Sequence, residues 1–267
     1  MTNSSKALSR AVASAFCVAG FLLLGAHAYA QQTSGTGITA SDTSKLTSSG
    51  FLSDYKRLAK APVGDGAQCW RQPNIDMKQF DKIMITRMIV TLKDGKNKGV
   101  DPKDLAALVD YFYKSLVTAF KPQMAVVDQP GPGVVVLRIA LTNLMPTDTG
   151  RSVAGTLIPF GFVGEAGSGV AAGGPAGSTP YLGQTGIELQ VIDGGTNAIL
   201  AECRDTQVGR KYAADIDKSK DGAASTWVNG YLNSFDSWAY ARNAFDKWSL
   251  LLANRVAELR GVKPAAK

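Results

Sequence analysis

Histidine is nearly absent: the 267-residue chain contains one, His27. It falls inside an N-terminal stretch that reads as an export signal, so the mature chain is expected to have none. That excludes Ser-His-Asp and Cys-His catalysis and removes the commonest metal ligand. It also removes the side chain best matched to proton transfer near neutral pH, leaving carboxylates, Lys or Tyr to any enzyme built on this chain. No Gly-Lys-Ser/Thr run occurs, so a P-loop is excluded. Strong charge is missing too. Without Lys6 and Arg10, 27 basic residues stand against 22 acidic ones, an excess of five. That excess is no nucleic-acid signature, and the lysines of Lys93-Asp94-Gly95-Lys96-Asn97-Lys98-Gly99 read as a solvated turn. No cofactor and no metal site is expected.

What is present begins with the signal. Lys6 and Arg10 form a basic head, Ala11 to Gly25 an apolar run, and Ala28 and Ala30 supply small residues at the positions a signal peptidase needs. Cleavage is expected between Ala30 and Gln31. The apolar run falls short of the roughly 20 residues of a membrane span, although a retained anchor is the alternative. Cys17 follows the bulky Phe16, which does not suit a lipidation site. The expected location is the periplasm or the exterior, with outer-membrane association as the alternative.

Of three cysteines, Cys69 and Cys203 remain in the mature chain. An oxidising compartment and an even count point to one disulfide, two buried thiols being the other reading. Glu202 and Arg204 flank Cys203 and suggest a strand with the sulfur facing inward.

Residues 31–49 are rich in Ser, Thr, Gly and Gln and read as a flexible leader, with order expected to begin near Gly50. A single domain is expected over 50–262, followed by a tail at 263–267. Lys82 to Leu92 reads as a strand with Ile83, Ile85 and Ile89 on one face and Met84, Met88, Val90 and Leu92 on the other. Asp101-Pro102-Lys103-Asp104 starts a helix carrying Leu105, Leu108, Val109, Phe112, Leu116 and Phe120, and Pro122 stops it. Met124 to Val127 is a short strand. Val134 to Met145 is a long one whose apolar face is Val135, Leu137, Ile139, Leu141 and Met145. Ile187–Ile192 and Ala198–Cys203 form a hairpin around Asp193-Gly194-Gly195-Thr196-Asn197. Trp238, Ala241, Phe245, Trp248, Leu252, Val256 and Leu259 make one helical stripe, capped by Gly261. A sugar-stacking surface is conceivable there, but this spacing favours core. The order strand, helix, four strands, helix predicts an α/β two-layer sandwich: a mixed, mostly antiparallel sheet with two main helices on one face.

Residues 150–180 break the pattern with closely spaced glycines. Gly167-Ser168-Gly169 and Gly173 superficially resemble a dinucleotide fingerprint, but Ala172 takes the third glycine's place and no helix with a ribose-binding acid follows. A mobile excursion is the plain reading. The functional readings are a lid over a ligand groove, or a loop that meets a partner or the membrane periphery through Phe160, Phe162, Val163, Glu165 and Val170.

Several phrases together resemble a known family. They are Gly50-Phe51-Leu52-Ser53-Asp54-Tyr55, Gly99-Val100-Asp101-Pro102, Val127-Asp128-Gln129-Pro130-Gly131-Pro132-Gly133, Phe162-Val163-Gly164-Glu165-Ala166 and Ala244-Phe245-Asp246-Lys247-Trp248. The chain from about Phe51 to Gly261 resembles the proteobacterial envelope family known as domain of unknown function 3313. The resemblance implies a fold similar to small α/β envelope domains such as the TolB amino-terminal domain, and it brings no catalytic residues. The expected function is a non-catalytic envelope protein that binds a partner protein or a cell-wall component. A carboxylate hydrolase of envelope glycans, drawing on residues such as Asp54, Asp65, Asp128 and Glu165, is one alternative. A carrier of an apolar ligand is another, and the oligomeric state stays open.

Overall fold

The first long helix, α1 (Pro102–Phe120), starts where its capping sequence demands. The Asp101 carboxylate accepts from the Lys103 N–H at 2.7 Å, Pro102 occupies the first turn, and Asp104 lies at the positive end of the helix dipole. Leu108, Phe112, Leu116 and Phe120 are buried at steps of four. They meet the second helix, α2 (Ala239–Arg260), where Phe112 stacks on Phe245 with ring centroids 4.4 Å apart. Gly261 closes α2 at φ 69°, a left-handed conformation that costs glycine little. These positions follow a computed structural model that describes residues 39–62, 66–91, 100–148, 171, 182–210 and 236–263. The chain divides into two compact units, Met1–Gln31 and Gln32–Lys267, and everything described belongs to the second. The expected signal, the Ala30–Gln31 cleavage point, the first part of the leader, nearly all of the glycine-rich segment and the end of the tail lie outside the described residues.

Among the described residues nine strands form one mixed sheet: β1 (Thr39–Ser41), β2 (Ala59–Lys60), β3 (Gln68–Arg71), β4 (Lys82–Ile85), β5 (Ile89–Thr91), β6 (Ala125–Val126), β7 (Val134–Met145), β8 (Gln184–Asp193) and β9 (Ile199–Gly209). Their order is β2-β3-β9-β8-β7-β4-β6, with β1 added to β9 and β5 to β7. Pairings on β9, and those of β8 with β7 and of β2 with β3, are antiparallel; β4 and β5 run parallel to β7, and β6 runs parallel to β4. Both helices cover one face, where Val135, Leu137, Ile139 and Leu141 of β7 join Ile187 and Leu189 of β8 in the core. The two-layer α/β architecture is thus the one expected, and the Trp238–Leu259 stripe of α2 is core.

Three details differ from the sequence reading. The leader does not extend to residue 49: β1 pairs with β9, and Thr39, Ala40, Asp42 and Thr47 are buried. Small hydroxylated residues with no apolar bulk still pair through their backbone and fill a polar layer. Lys82–Leu92 is two strands, because four residues from Ile85 to Ile89 span only three on β7, from Leu137 to Ala140. The extra residue puts Met88 and Val90 on the core side with Ile83 and Ile85, and leaves Ile89 47% exposed. The third detail has the same cause at the end of β7. Asn143 adopts φ 50°, the pairing shifts between Thr142 and Met145, and Leu144 is buried in place of Met145.

Candidate functional site

The sheet's outer face holds the densest polar constellation among the described residues. Side chains alternate along a strand, so burying Ile187 and Leu189 on the helix side turns Glu188 and Gln190 outward, as Cys203 does Glu202 and Arg204. Yet Glu188 and Glu202 are both 0% exposed. A strap formed by residues 42–58 crosses over them.

Each carboxylate is received by one serine through its own N–H and hydroxyl. Ser49 donates from N to Glu188 Oε1 at 2.9 Å and from Oγ to Oε2 at 2.6 Å. Four residues on, Ser53 donates from N to Glu202 Oε1 at 2.7 Å and from Oγ to Oε2 at 2.9 Å. The Tyr55 hydroxyl donates to Glu188 Oε2 at 2.8 Å while accepting from the Gly50 N–H at 2.9 Å. Gln190 Nε2 donates to Glu202 Oε1 at 2.7 Å, and Arg57 forms an ion pair with Oε2 at 2.6 Å. Burial pushes the Glu202 carboxyl up, but the bonds from Ser53, Gln190 and Arg57 outweigh it and hold the group below its ordinary value. Arg57 lies 3.4 Å above the Trp70 ring, and Arg204 holds Gln68 and the Thr47 carbonyl. Every carboxylate oxygen is engaged and none reaches solvent, so the constellation fastens the strap and is closed to a substrate.

Cys69 and Cys203 are bonded and directly opposite each other in the pairing of β3 with β9. Cys203 packs against the core, as its flanking charges suggested. Beside the disulfide, an apolar cavity of about 90 Å³ lies between sheet and α2, lined by Ile187, Leu189, Trp248 and Leu252 among others. Asp54 caps a single helical turn by accepting from the Lys56 N–H, and Asp128 is exposed in its turn. Asp65, Phe160, Phe162, Val163, Glu165 and Val170 lie outside the described residues. Among those described, no cluster of three or more His, Cys, Asp or Glu could hold a metal. None of the described helices is long and apolar enough to cross a membrane.

An open groove of about 550 Å³ lies on the helix side of the sheet, between β5 and the first half of α1. Ile85, Met88 and Val90 line one wall, and Leu105, Val109 and Tyr113 the other. Leu105 and Val109 are half-buried at the margin of the core, and with the 38%-exposed Tyr113 they form a second stripe at steps of four. The signal that could have marked it was the excess width of the helix's apolar face.

Strap, sheet and helices define a two-layer α/β domain whose outer face is closed from its N-terminal side. The chain belongs to the family described as Protein of unknown function (DUF3313), whose model matches residues 47–250. The match begins at Thr47, which donates to Thr142 on β7 and opens the serine clamp. No curated protein matches the chain. Similar solved structures include a PelC dodecamer from Paraburkholderia phytofirmans, 12% identical over 64% of this chain and 96% of that one, with a TM-score of 0.30. A DUF330 protein from Xanthomonas campestris is 10% identical over 72% and 91% of the two chains, with a TM-score of 0.30. A DUF4136 family protein from Bacteroides thetaiotaomicron is 11% identical over 63% and 94%, with a TM-score of 0.25.

Proposed function

We propose that this is an exported, non-catalytic protein of the cell envelope that binds a partner protein or an envelope component. The observation that carries the reading is the open apolar groove between β5 and α1, an exposed recess of the size typical of binding sites, about 300–1,000 Å³. The polar constellation offers no competing chemistry, because Glu188 and Glu202 spend all their oxygens on the strap. A glycan hydrolase needs two carboxylates facing a substrate, and nothing observed favours that reading. A carrier of an apolar ligand is less well supported, since the cavity beside the disulfide, about 90 Å³, is far below that range.

The test is photo-crosslinking in cells, with the reactive residue placed at Tyr113 in the groove and at Lys60 on the opposite sheet edge. The expected result is one reproducible envelope product from at least one position, on a protein whose N-terminus is Gln31. Absence of any product from both positions, or retention of Met1, would sink the reading.

A further inference from the structure

Resting on that binding reading, we propose that the groove takes an extended segment of a partner polypeptide, which pairs as an added strand with the open edge of β5 and sets alternate apolar side chains against α1. Three features of one site lead there.

The first is the unfinished edge. β5 pairs with β7 on one side, and β6, which covers β4 at Lys82 and Ile83, ends at Val126. Among the described residues, the stretch from Ile85 to Thr91 therefore has no strand on its outer side. Its outward N–H and C=O groups are a template for another strand.

The second is the wall that such a strand would face. Leu108, Phe112 and Leu116 of α1 are buried in the core, while Leu105 and Val109, at its margin, line the groove with Tyr113, opposite Met88 and Val90. A strand repeats its side-chain direction about every 7 Å, so alternate residues can fall in line between the two walls. An acyl chain would match the apolar walls and leave the edge's hydrogen-bonding groups unused, whereas a polypeptide matches both.

The third is charge. Asp110 on the helix rim is held by Lys114 at 2.7 Å. Arg87 on the strand rim is exposed and has no ion pair among the described residues. Two copies pairing edge to edge would put two such arginines into one interface, where the one acid among the described lining residues, Asp110, is already paired with Lys114. A partner segment with a carboxylate among its outward residues completes the site.

The test uses the purified protein and a panel of short capped peptides that alternate threonine with valine, isoleucine, phenylalanine or tyrosine, one threonine being replaced by glutamate. Amide hydrogen exchange is read at residues 85–91. At least one peptide is expected to slow exchange there saturably, and methylating its alternate amide nitrogens should abolish the effect. Arg87→Glu, at an exposed position, should weaken the glutamate peptide by about fivefold and favour the version with lysine instead. Three results would overturn the proposal: no slowing with any peptide, slowing indifferent to N-methylation, or slowing that grows with protein concentration alone. If crosslinking succeeds from Lys60 while the peptides fail, the binding reading stands and the strand-addition proposal falls.

Discussion

On the helix side of the sheet, Leu137, Ile139, Leu141, Ile187 and Leu189 are buried by hydrocarbon from α1 and α2. On the other side, Glu188 and Glu202 are buried as completely by a strap that answers each oxygen with a donor. Hydrophobic burial is non-directional and follows area, so the helix side tolerates small adjustments. A buried carboxylate tolerates little, because an unmatched oxygen carries its full desolvation penalty. Ser49 and Ser53 are four residues apart and meet glutamates on adjacent strands, so sliding the strap by one residue would lose both clamps. One face supplies most of the stability and the other fixes where the N-terminal segment lies.

The comparison can be broken by mutation. Phe245→Ala, at the centre of the helix side, should cost about 3–5 kcal/mol in denaturant unfolding. Glu202→Ala should cost about 3 kcal/mol, since it strands Ser53, Arg57 and Gln190 together. Combining it with Ser53→Ala should cost clearly less than the two single changes added. A loss within about 0.5 kcal/mol would make the outer face ordinary surface and end the contrast. Acid sharpens the same point. Because the folded Glu202 carboxyl lies below its ordinary value of 4.5, its contribution is complete above that value and is lost as pH falls through the folded one. The stability gap between the wild type and Glu202→Gln should therefore narrow in acid.

Two further effects belong to the seams between the regions. Cys69→Ala with Cys203→Ala opens a link that joins residues 134 apart in sequence and should cost about 2–4 kcal/mol, absent under reducing conditions. Tyr111, between the helices, donates to Asp246 at 2.7 Å. Burial first, then that bond and the Asp246 charge, push its hydroxyl up to about 12. Its contribution is complete below the ordinary tyrosine value, about 10, and is lost as pH rises toward 12. Tyr111→Phe should cost about 1 kcal/mol at neutral pH and flatten the alkaline loss of stability between those limits.

The contrast also explains what could be read in advance. The Asp101-Pro102 start, the Gly261 cap, the β8–β9 hairpin and the α2 stripe all rest on local spacing, and each stands where the sequence places it. The bulges at residues 86–88 and Asn143 were hidden because one extra residue reverses every later side chain without altering composition. The clamp was hidden for another reason. Glu188 and Glu202 look like wet positions of half-buried strands, and their partners lie 139 and 149 residues away. The resemblance phrase Gly50-Phe51-Leu52-Ser53-Asp54-Tyr55 marked the strap, but nothing in its spacing named two glutamates. Tyr113 passed unnoticed because a single exposed aromatic on a helix is unremarkable until an open strand edge lies beside it.

The strap also bears on the order in which the fold can be finished. β1 pairs with Gln207 to Gly209, and the serine clamp closes on β8 and β9, so the earliest described residues need the later strands as their surface. A chain emerging N-terminus first therefore carries its fastening uncommitted until β9 has appeared, and the long loop must then be closed against its entropy. Until then the two carboxylates on β8 and β9 stay hydrated and the sheet's outer face stays open. A strap made early is fastened only once β9 has been added.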